Sequence, residues 1–250
     1  MKHIRKFETT AGFEAERSTL ALPNVSLVTQ TNTINYLPYG GETPSETDWV
    51  EINGIKWATK NLGATDKYDI GLYYQWGDTQ GYTVDQVGNT KQFSESDYKY
   101  YDGSAYTKYN ETDGKLALDS SDDAATVVLG ANWRMPTAEE VASLNTSGNV
   151  IYNEAGASGA AEPVDGFIVR DSNDSSKELF LPISNMAKDG EINDDKWALA
   201  WTKTGPEDAS YSYSATIMTS YEWNNEIPTM SGENIYRSMG LPIRPVYVGS

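Results

Sequence analysis

Apolar and polar residues alternate along the chain around residue 50. The apolar positions are Val50, Ile52, Ile55 and Trp57, and Asn53-Gly54 lies between the two pairs. A period of two is typical of a half-buried strand, and Asn-Gly is a strong signal for a type I′ turn. The pattern therefore predicts a strand pair over residues 49 to 63, joined by a tight hairpin.

Similar patterns predict further strands. Leu72, Tyr74 and Trp76 alternate in a strand-like way before Gly77-Asp78. Other predicted strands cover residues 166–169, 179–182, 197–201, 214–218 and 243–248. A turn-rich loop separates the first two of these strands, which favours a hairpin. In the last strand, Arg244 is expected to form a structural ion pair. The polar, tyrosine-rich stretch from 79 to 118 is expected to form long loops whose tyrosines pack on the body.

Two short helices are predicted in the middle of the chain. Thr137 and Glu140 have the spacing of a capping box, and Val141 and Leu144 then share one helical face. The second helix spans residues 121 to 129 and is capped by Ser121 or an adjacent Asp.

The first 47 residues differ from the rest of the chain. They predict a short helix at 10–17, strands at 25–28 and 33–36, and a Gly- and Pro-containing linker at 40–45. So few elements bury little core by themselves, so this segment is expected to dock on another surface or to oligomerise. The sequence therefore predicts a small N-terminal α+β module, residues 1–47, and a larger domain, residues 48–250.

Eight motifs of the larger domain resemble, in order, one known family. They are Trp57 to Ala64, Gly71 to Asp78, Thr107 to Asn110, Leu118-Asp119, Trp133 to Thr137, Glu178 to Pro182, Trp201-Thr202 and Ile243 to Val246. Together they resemble the Fibrobacter succinogenes major paralogous domain over about residues 49 to 248. The resemblance implies an α+β, C-type-lectin-like fold with two short helices, small mixed or antiparallel sheets and long loops.

The N-terminal module has a resemblance of its own. A Lys-Phe start, a helix and then Pro23-Asn24-Val25-Ser26-Leu27 resemble short leader modules on structural proteins of phages that infect Bacteroides. This resemblance implies that residues 1–47 contact other virion proteins or form a homo-oligomer such as a trimer. The alternative is an extension of the lectin-like domain with no separate role.

The composition changes between Trp201 and Arg244. Ser, Thr, Tyr and Asn are frequent there, and Tyr221 to Asn225 combines two aromatic residues with three polar ones. This mixture is typical of a paratope, in which Tyr and Trp provide contact area and Ser and Asn provide adaptable hydrogen bonds. The alternative is a merely polar loop segment.

The family resemblance adds a specific hypothesis for this tail. Some lectin-fold proteins of this branch are the variable targets of diversity-generating retroelements, in which a C-terminal segment forms an exposed ligand-binding face. The matching candidate ligand-binding residues here are Tyr211, Tyr213, Tyr221, Trp223, Asn224, Asn225, Tyr236, Ser238 and Met239.

Charge and composition exclude several functions. The formal net charge of −17 disfavours binding to nucleic acid, which needs clustered Lys and Arg, and to anionic lipid. With no Cys, disulfides and thiolate sites are excluded. No apolar run reaches the length of a membrane span, and the first residues do not resemble a secretory signal. We therefore expect no membrane insertion, and either an intracellular location or export by assembly into a virus particle.

Catalysis is not expected. The single His is His3, so the main domain has no Ser-His-Asp unit. The paired carboxylates Glu139-Glu140 and Asp122-Asp123 are explained by helix starts. The lectin-like fold also occurs in formylglycine-generating enzymes, but those use a cysteine-based copper site.

No cofactor is predicted, with Ca²⁺ as the one alternative. Two groups of acidic residues have the composition of a Ca²⁺ site: Asp119, Asp122 and Asp123, and Asp171, Asp174 and Glu178. Helix capping is the favoured explanation of the first group, and turn chemistry accounts for the Asp residues of the second. The sugar-binding motifs Glu-Pro-Asn and Gln-Pro-Asp of animal lectins are absent from the sequence.

The sequence thus favours a receptor-binding or adhesion protein displayed on the surface of a phage. Its partner would be a bacterial surface protein or glycan. The alternatives are a structural virion decoration protein without a specific ligand, and a bacterial surface lectin of fixed specificity located at the cell surface.

Overall fold

The computed structural model describes residues 48–145, 150–211, 214–221 and 230–249. The predicted N-terminal module, residues 1–47, lies outside the described residues. The described part contains two short α-helices and several small antiparallel sheets joined by loops. The predicted α+β class is therefore confirmed.

The helices are α1, Ala124–Leu129, and α2, Ala138–Ser143. The strands are β1 Trp49–Ile52, β2 Ile55–Ala58, β3 Trp133–Arg134, β4 Val150–Asn153, β5 Gly166–Arg170, β6 Glu178–Pro182, β7 Ala187–Lys188, β8 Glu191–Ile192, β9 Trp197–Trp201, β10 Ser214–Tyr221, β11 Ser231–Tyr236 and β12 Val246–Tyr247. Short 3-10 helices cover Val84–Gln86, Glu95–Asp97 and Ala209–Tyr211.

The first sheet joins the two ends of the domain in the order β1-β2-β12-β3. Its hairpin turns at Asn53 and Gly54, whose φ values of 50° and 82° are the positive values that a type I′ turn requires. Val246 pairs with Trp57 on one side and with Arg134 on the other. The predicted closing strand is shorter than expected, because only Val246–Tyr247 has strand geometry, although Pro245 and Val248 also form backbone hydrogen bonds with Ala58 and Asn132.

Two three-stranded sheets, β4-β5-β6 and β11-β10-β9, form the rest of the scaffold, with a small β7-β8 pair beside them. The predicted hairpin of β5 and β6 is confirmed, with Phe167 opposite Leu181. The predicted strands at 197–201 and 214–218 are confirmed as β9 and the first part of β10.

Strand β9 lies between two hydrophobic clusters. Leu199 and Trp201 pack into the first cluster, whereas Ala198 and Ala200 pack into the second. The side chains of a strand alternate between its two faces, so a single strand contributes to both clusters. The face of β9 toward the second cluster therefore carries small residues, and the face toward the first cluster carries large ones.

The segment around Trp76 is buried but is not a strand. Tyr73 forms an isolated bridge with Tyr82, and Tyr74 forms one with Leu241. Leu72, Tyr74 and Trp76 nevertheless all pack into the first cluster. The predicted alternation is therefore confirmed for the side chains of Leu72, Tyr74 and Trp76, which share one cluster. Isolated bridges replace the predicted strand.

The predicted capping box of α2 is confirmed, whereas α1 begins at Ala124 and not at the predicted residue 121, with Asp123 and not Ser121 as its cap. Thr137 accepts from the Glu140 amide at 3.2 Å, and the Glu140 carboxylate accepts from the Thr137 amide at 2.8 Å. Asp123 is the cap of α1 and accepts from the Thr126 amide at 3.1 Å. The same Asp123 carboxylate also accepts from the Met135 amide, so it joins α1 to the segment that leads into α2.

The ion pair predicted for Arg244 is wrong. Within the described part of the chain, its fully buried guanidinium donates to Asn61 Oδ1 at 2.8 Å and to the carbonyls of Ala58 and Phe180 at 3.0 and 3.1 Å. Burial lowers the pKa of the Arg244 guanidinium. The Arg244 guanidinium therefore donates to neutral oxygens. Its side chain joins its own segment to the segment of Ala58 and Asn61 and to that of Phe180.

The tyrosine-rich stretch consists of loops with two short 3-10 helices, as predicted. Tyr98 and Tyr109 are buried. Tyr109 packs edge-on against Trp76, with ring centroids 5.0 Å apart. These contacts confirm that tyrosines of this stretch pack on the body.

Candidate functional site

The tail between Trp201 and Arg244 forms most of the sheet β11-β10-β9. In this sheet, Thr219 lies opposite Leu199 on one side and opposite Ser231 on the other. Tyr221 lies opposite Trp197. The connection between β10 and β11, residues 222–229, lies outside the described residues.

One face of this sheet borders a cavity of about 1080 Å³. Leu199, Ile217 and Ile235 provide apolar lining from three neighbouring strands. Trp197 and Glu233 line the same cavity from the two outer strands. The register explains this arrangement, because Ile217 lies opposite both Trp201 and Glu233.

A loop and two methionines form the other walls. The loop contributes Pro206, Glu207, Asp208 and Tyr211, and it ends in the 3-10 helix Ala209–Tyr211. Met186 and Met239 complete this part of the lining. Methionine is flexible and polarizable, so these walls can adjust to the shape of a bound group.

The structure brings together three of the residues predicted for ligand binding. Tyr211 and Tyr236 line the cavity and are each 53% exposed, and Met239 lines it while being 7% exposed. The cavity lining combines apolar side chains with exposed tyrosines, a composition that is typical of ligand-binding sites.

The other six residues predicted for ligand binding comprise two that the structure describes and four that it does not. Ser238 is buried, and its carbonyl accepts from the Gln75 side-chain amide at 2.7 Å, which is a structural contact. Tyr221 is the last residue of β10. Four predicted residues lie outside the described residues: Tyr213, Trp223, Asn224 and Asn225.

Sequence reasoning missed Trp197, Glu207, Asp208 and Glu233. Trp197 alternates with Leu199 and Trp201, so its strand face was predictable. Glu207 and Asp208 follow Gly205-Pro206, a turn signal without a binding motif. Only the strand register places Glu233 on the same cavity as these two carboxylates.

The cavity is acidic. The lining residues that the structure describes include Glu207, Asp208 and Glu233 and contain no Lys, Arg or His. Asp208 accepts from the Ser210 amide at 2.9 Å. This hydrogen bond lowers the pKa of the Asp208 carboxyl, so it is ionised at neutral pH.

Arg237 holds the end of β11 against the tyrosine-rich loops. It is fully buried and donates to the carbonyls of Tyr109 and Lys108 at 3.0 Å each. Its guanidinium carbon lies 4.3 Å from the ring centroid of Tyr106. Burial lowers the pKa of Arg237. These contacts fix the backbone directly after Tyr236, and so they support one wall of the cavity.

The first acidic group, Asp119, Asp122 and Asp123, contacts lysines and backbone amides. Asp122 accepts from Tyr109 at 2.6 Å and from Lys108, and Asp119 accepts from Lys108 at 2.8 Å. Asp123 caps α1.

The second acidic group has similar local partners. Asp171 accepts from the Asn53 amide at 2.6 Å, Asp174 from Ser176, and Glu178 from Arg170. Across the described ranges, no group of three or more His, Asp and Glu side chains is arranged to hold a metal ion. The absence of a cofactor stays a prediction, with Ca²⁺ binding as its alternative.

In comparisons with known proteins, no family model, no curated protein and no solved structure matches this chain significantly. Among the described residues, no helix has the length and apolar character needed to cross a membrane.

Proposed function

We propose that this chain is a receptor-binding or adhesion protein that binds its ligand in the cavity beside β9, β10 and β11. The observation that supports this proposal is the position of Tyr211 and Tyr236, each 53% exposed on the same cavity. Half-exposed tyrosines beside an apolar surface provide large contact area at low entropic cost. A decoration protein without a ligand has no need for such a surface, and so the exposure favours binding.

The proposal includes a C-type-lectin-like fold for residues 48–250. Two short helices, several small antiparallel sheets and the loops between β2 and α1 agree with what the sequence resemblance implies. Display on a phage virion, with a bacterial cell-surface protein or glycan as partner, comes from the resemblance. The same holds for anchoring or trimerisation through residues 1–47, and for diversification of the tail.

Binding of the purified full chain to intact Bacteroidetes cells tests the proposal. The variant Tyr211→Ala/Tyr236→Ala removes both exposed tyrosines from the cavity. The matched control Val84→Ala/Val127→Ala removes two exposed apolar side chains that do not line the cavity. Circular dichroism and thermal unfolding establish that both variants fold.

We expect the tyrosine variant to lose about tenfold or more in apparent affinity, as truncation of interface anchors does. The control variant should bind like the unmodified chain. Equal binding by the tyrosine variant would place the contact surface elsewhere. A lack of binding by the unmodified chain across a broad panel of Bacteroidetes cells would favour a structural decoration protein.

A further inference from the structure

We infer that the cavity selects a cationic group, namely the Lys or Arg side chain of a surface protein. This inference rests on the proposed function, because it assumes that the ligand enters the cavity beside β9, β10 and β11. It adds the chemistry of the partner: a basic protein segment instead of a neutral or acidic glycan.

The described part of the cavity lining carries negative charge without a basic side chain to neutralise it. Glu207, Asp208 and Glu233 line one cavity, and within the described ranges none of them forms an ion pair with Lys or Arg. Three carboxylates on the lining of one cavity attract a cationic group.

Carboxylates elsewhere in the protein show the contrast. Asp122 has two lysine partners, Lys99 and Lys108, and Glu140 is paired with Arg134. Among the residues that the structure describes, these two carboxylates therefore have basic partners, whereas the cavity lining contains no Lys or Arg.

Aromatic side chains also belong to the same lining. Trp197, Tyr211 and Tyr236 all border the cavity. Aromatic faces attract Lys and Arg cations, and Trp does so most strongly. This protein already combines the two groups elsewhere, since Lys56 Nζ lies 4.8 Å from the Trp49 ring centroid and Lys99 Nζ lies 4.6 Å from that of Tyr100.

The cavity also has an apolar floor. Leu199, Ile217 and Ile235 line the same cavity as the three carboxylates. Lys and Arg bury their methylene stems on apolar surface while the charged end stays near water or a carboxylate. Carboxylates, aromatic rings and an aliphatic floor together fit the charged end and the methylene stem of a Lys or Arg side chain.

The size of the cavity suggests a protein segment as the carrier of the cation. Its volume of about 1080 Å³ slightly exceeds the usual range for small-molecule pockets. One basic side chain leaves most of that volume empty. A loop that presents the basic residue together with its neighbours fills the volume and also contacts Tyr211 and Tyr236.

Charge-removing variants with unchanged shape test the inference. The cavity variant is Glu207→Gln/Asp208→Asn/Glu233→Gln. The control variant, Glu111→Gln/Glu139→Gln/Glu191→Gln, changes the net charge equally at exposed carboxylates that do not line the cavity. The full chains are assayed on intact Bacteroidetes cells, on cells whose surface lysines are acetylated, and on cells whose glycans are oxidised with periodate.

We expect the cavity variant to lose about tenfold or more in apparent affinity, and the control variant to bind like the unmodified chain. Acetylation of the cells should weaken binding, whereas periodate should leave it unchanged. Binding of the unmodified chain should also fall as salt increases, and more steeply than that of the cavity variant.

Other outcomes separate the two proposals. If the cavity variant binds like the unmodified chain while Tyr211→Ala/Tyr236→Ala does not, the cationic ligand is excluded and the proposed function stands. Loss of binding after periodate but not after acetylation would identify a glycan and overturn the inference. If neither variant changes binding to cells, both proposals fail.

Discussion

Arg244 Nη2 donates a hydrogen bond to the backbone carbonyl of Phe180 at 3.1 Å. The two residues are 64 positions apart in the chain. Since Arg244 also donates to Asn61 and to the Ala58 carbonyl, this contact links β6 to β2 and to the loop after β2. A single buried side chain thus joins two of the sheets.

Arg244→Lys should lower the free energy of unfolding by about 3 kcal/mol, because an ammonium cannot reproduce the fork of three donors and leaves buried carbonyls unsatisfied. Arg170→Lys is the control, since Arg170 forms a partly exposed pair with Glu178 whose loss costs less than about 1 kcal/mol. Urea unfolding measures both values. Equal effects of the two substitutions would contradict the structural role of Arg244.

Thr137→Ala should destabilise the protein by about 1 kcal/mol, because it removes the acceptor for the Glu140 amide at the start of α2. Thr137→Ser keeps the acceptor and should be nearly neutral. Glu140→Gln keeps the capping box but loses the ion pair with Arg134, so its effect should be smaller than that of an alanine at 140. Thermal and urea unfolding of this series would show whether the cap or the ion pair dominates.

Gly88→Ala should be much more destabilising than Gly103→Ala. Both glycines have positive φ values, 76° and 94°, but a Cβ at position 88 would lie 2.4 Å from the Gly190 carbonyl oxygen, whereas nothing lies within 4 Å at position 103. Positive φ alone costs about 1 kcal/mol, and the backbone clash should add about 2 kcal/mol or more. Similar unfolding energies for the two variants would mean that the loops at 88 and 190 do not approach each other.

Asp122 should make stability depend on pH in acid. Burial by itself would raise the pKa of this carboxyl, but hydrogen bonds from Lys108, Tyr100 and Tyr109 outweigh burial and lower the pKa from 3.8 to about 2. A lowered pKa in the folded state adds stability that is complete above the unfolded value and is lost as pH falls toward the folded value. The contribution of Asp122 should therefore disappear between about pH 4 and about pH 2.

Comparison with Asp122→Asn measures this contribution. The difference in free energy of unfolding between the unmodified chain and the variant should be largest near neutral pH and should shrink as pH falls through the same window. Glu139→Gln, at an exposed carboxylate, is the control. A difference that stays constant down to about pH 2 would show that the charge of Asp122 contributes nothing.

Part of the candidate site was predictable from the sequence. The mixture of Tyr, Ser and Asn between Trp201 and Arg244 indicated a segment that borders the cavity, and Tyr211, Tyr236 and Met239 line it. Composition could not show that Ser238 is buried against Gln75, because burial depends on a partner 163 residues away in the chain. It also could not assign Glu207 and Glu233 to one cavity.

The sequence by itself determined the local elements. The hairpin at Asn53-Gly54, the capping box at Thr137 and the cap at Asp123 depend on hydrogen bonds and dihedral angles within about four residues, and so short patterns are enough to predict them. The tertiary structure alone decided how these elements meet. Arg244 has neutral partners up to 186 positions away, and Glu233 of β11 lines the same cavity as Glu207 and Asp208 of the loop after β9. Such contacts follow from the packing of the whole chain, and no local pattern encodes them.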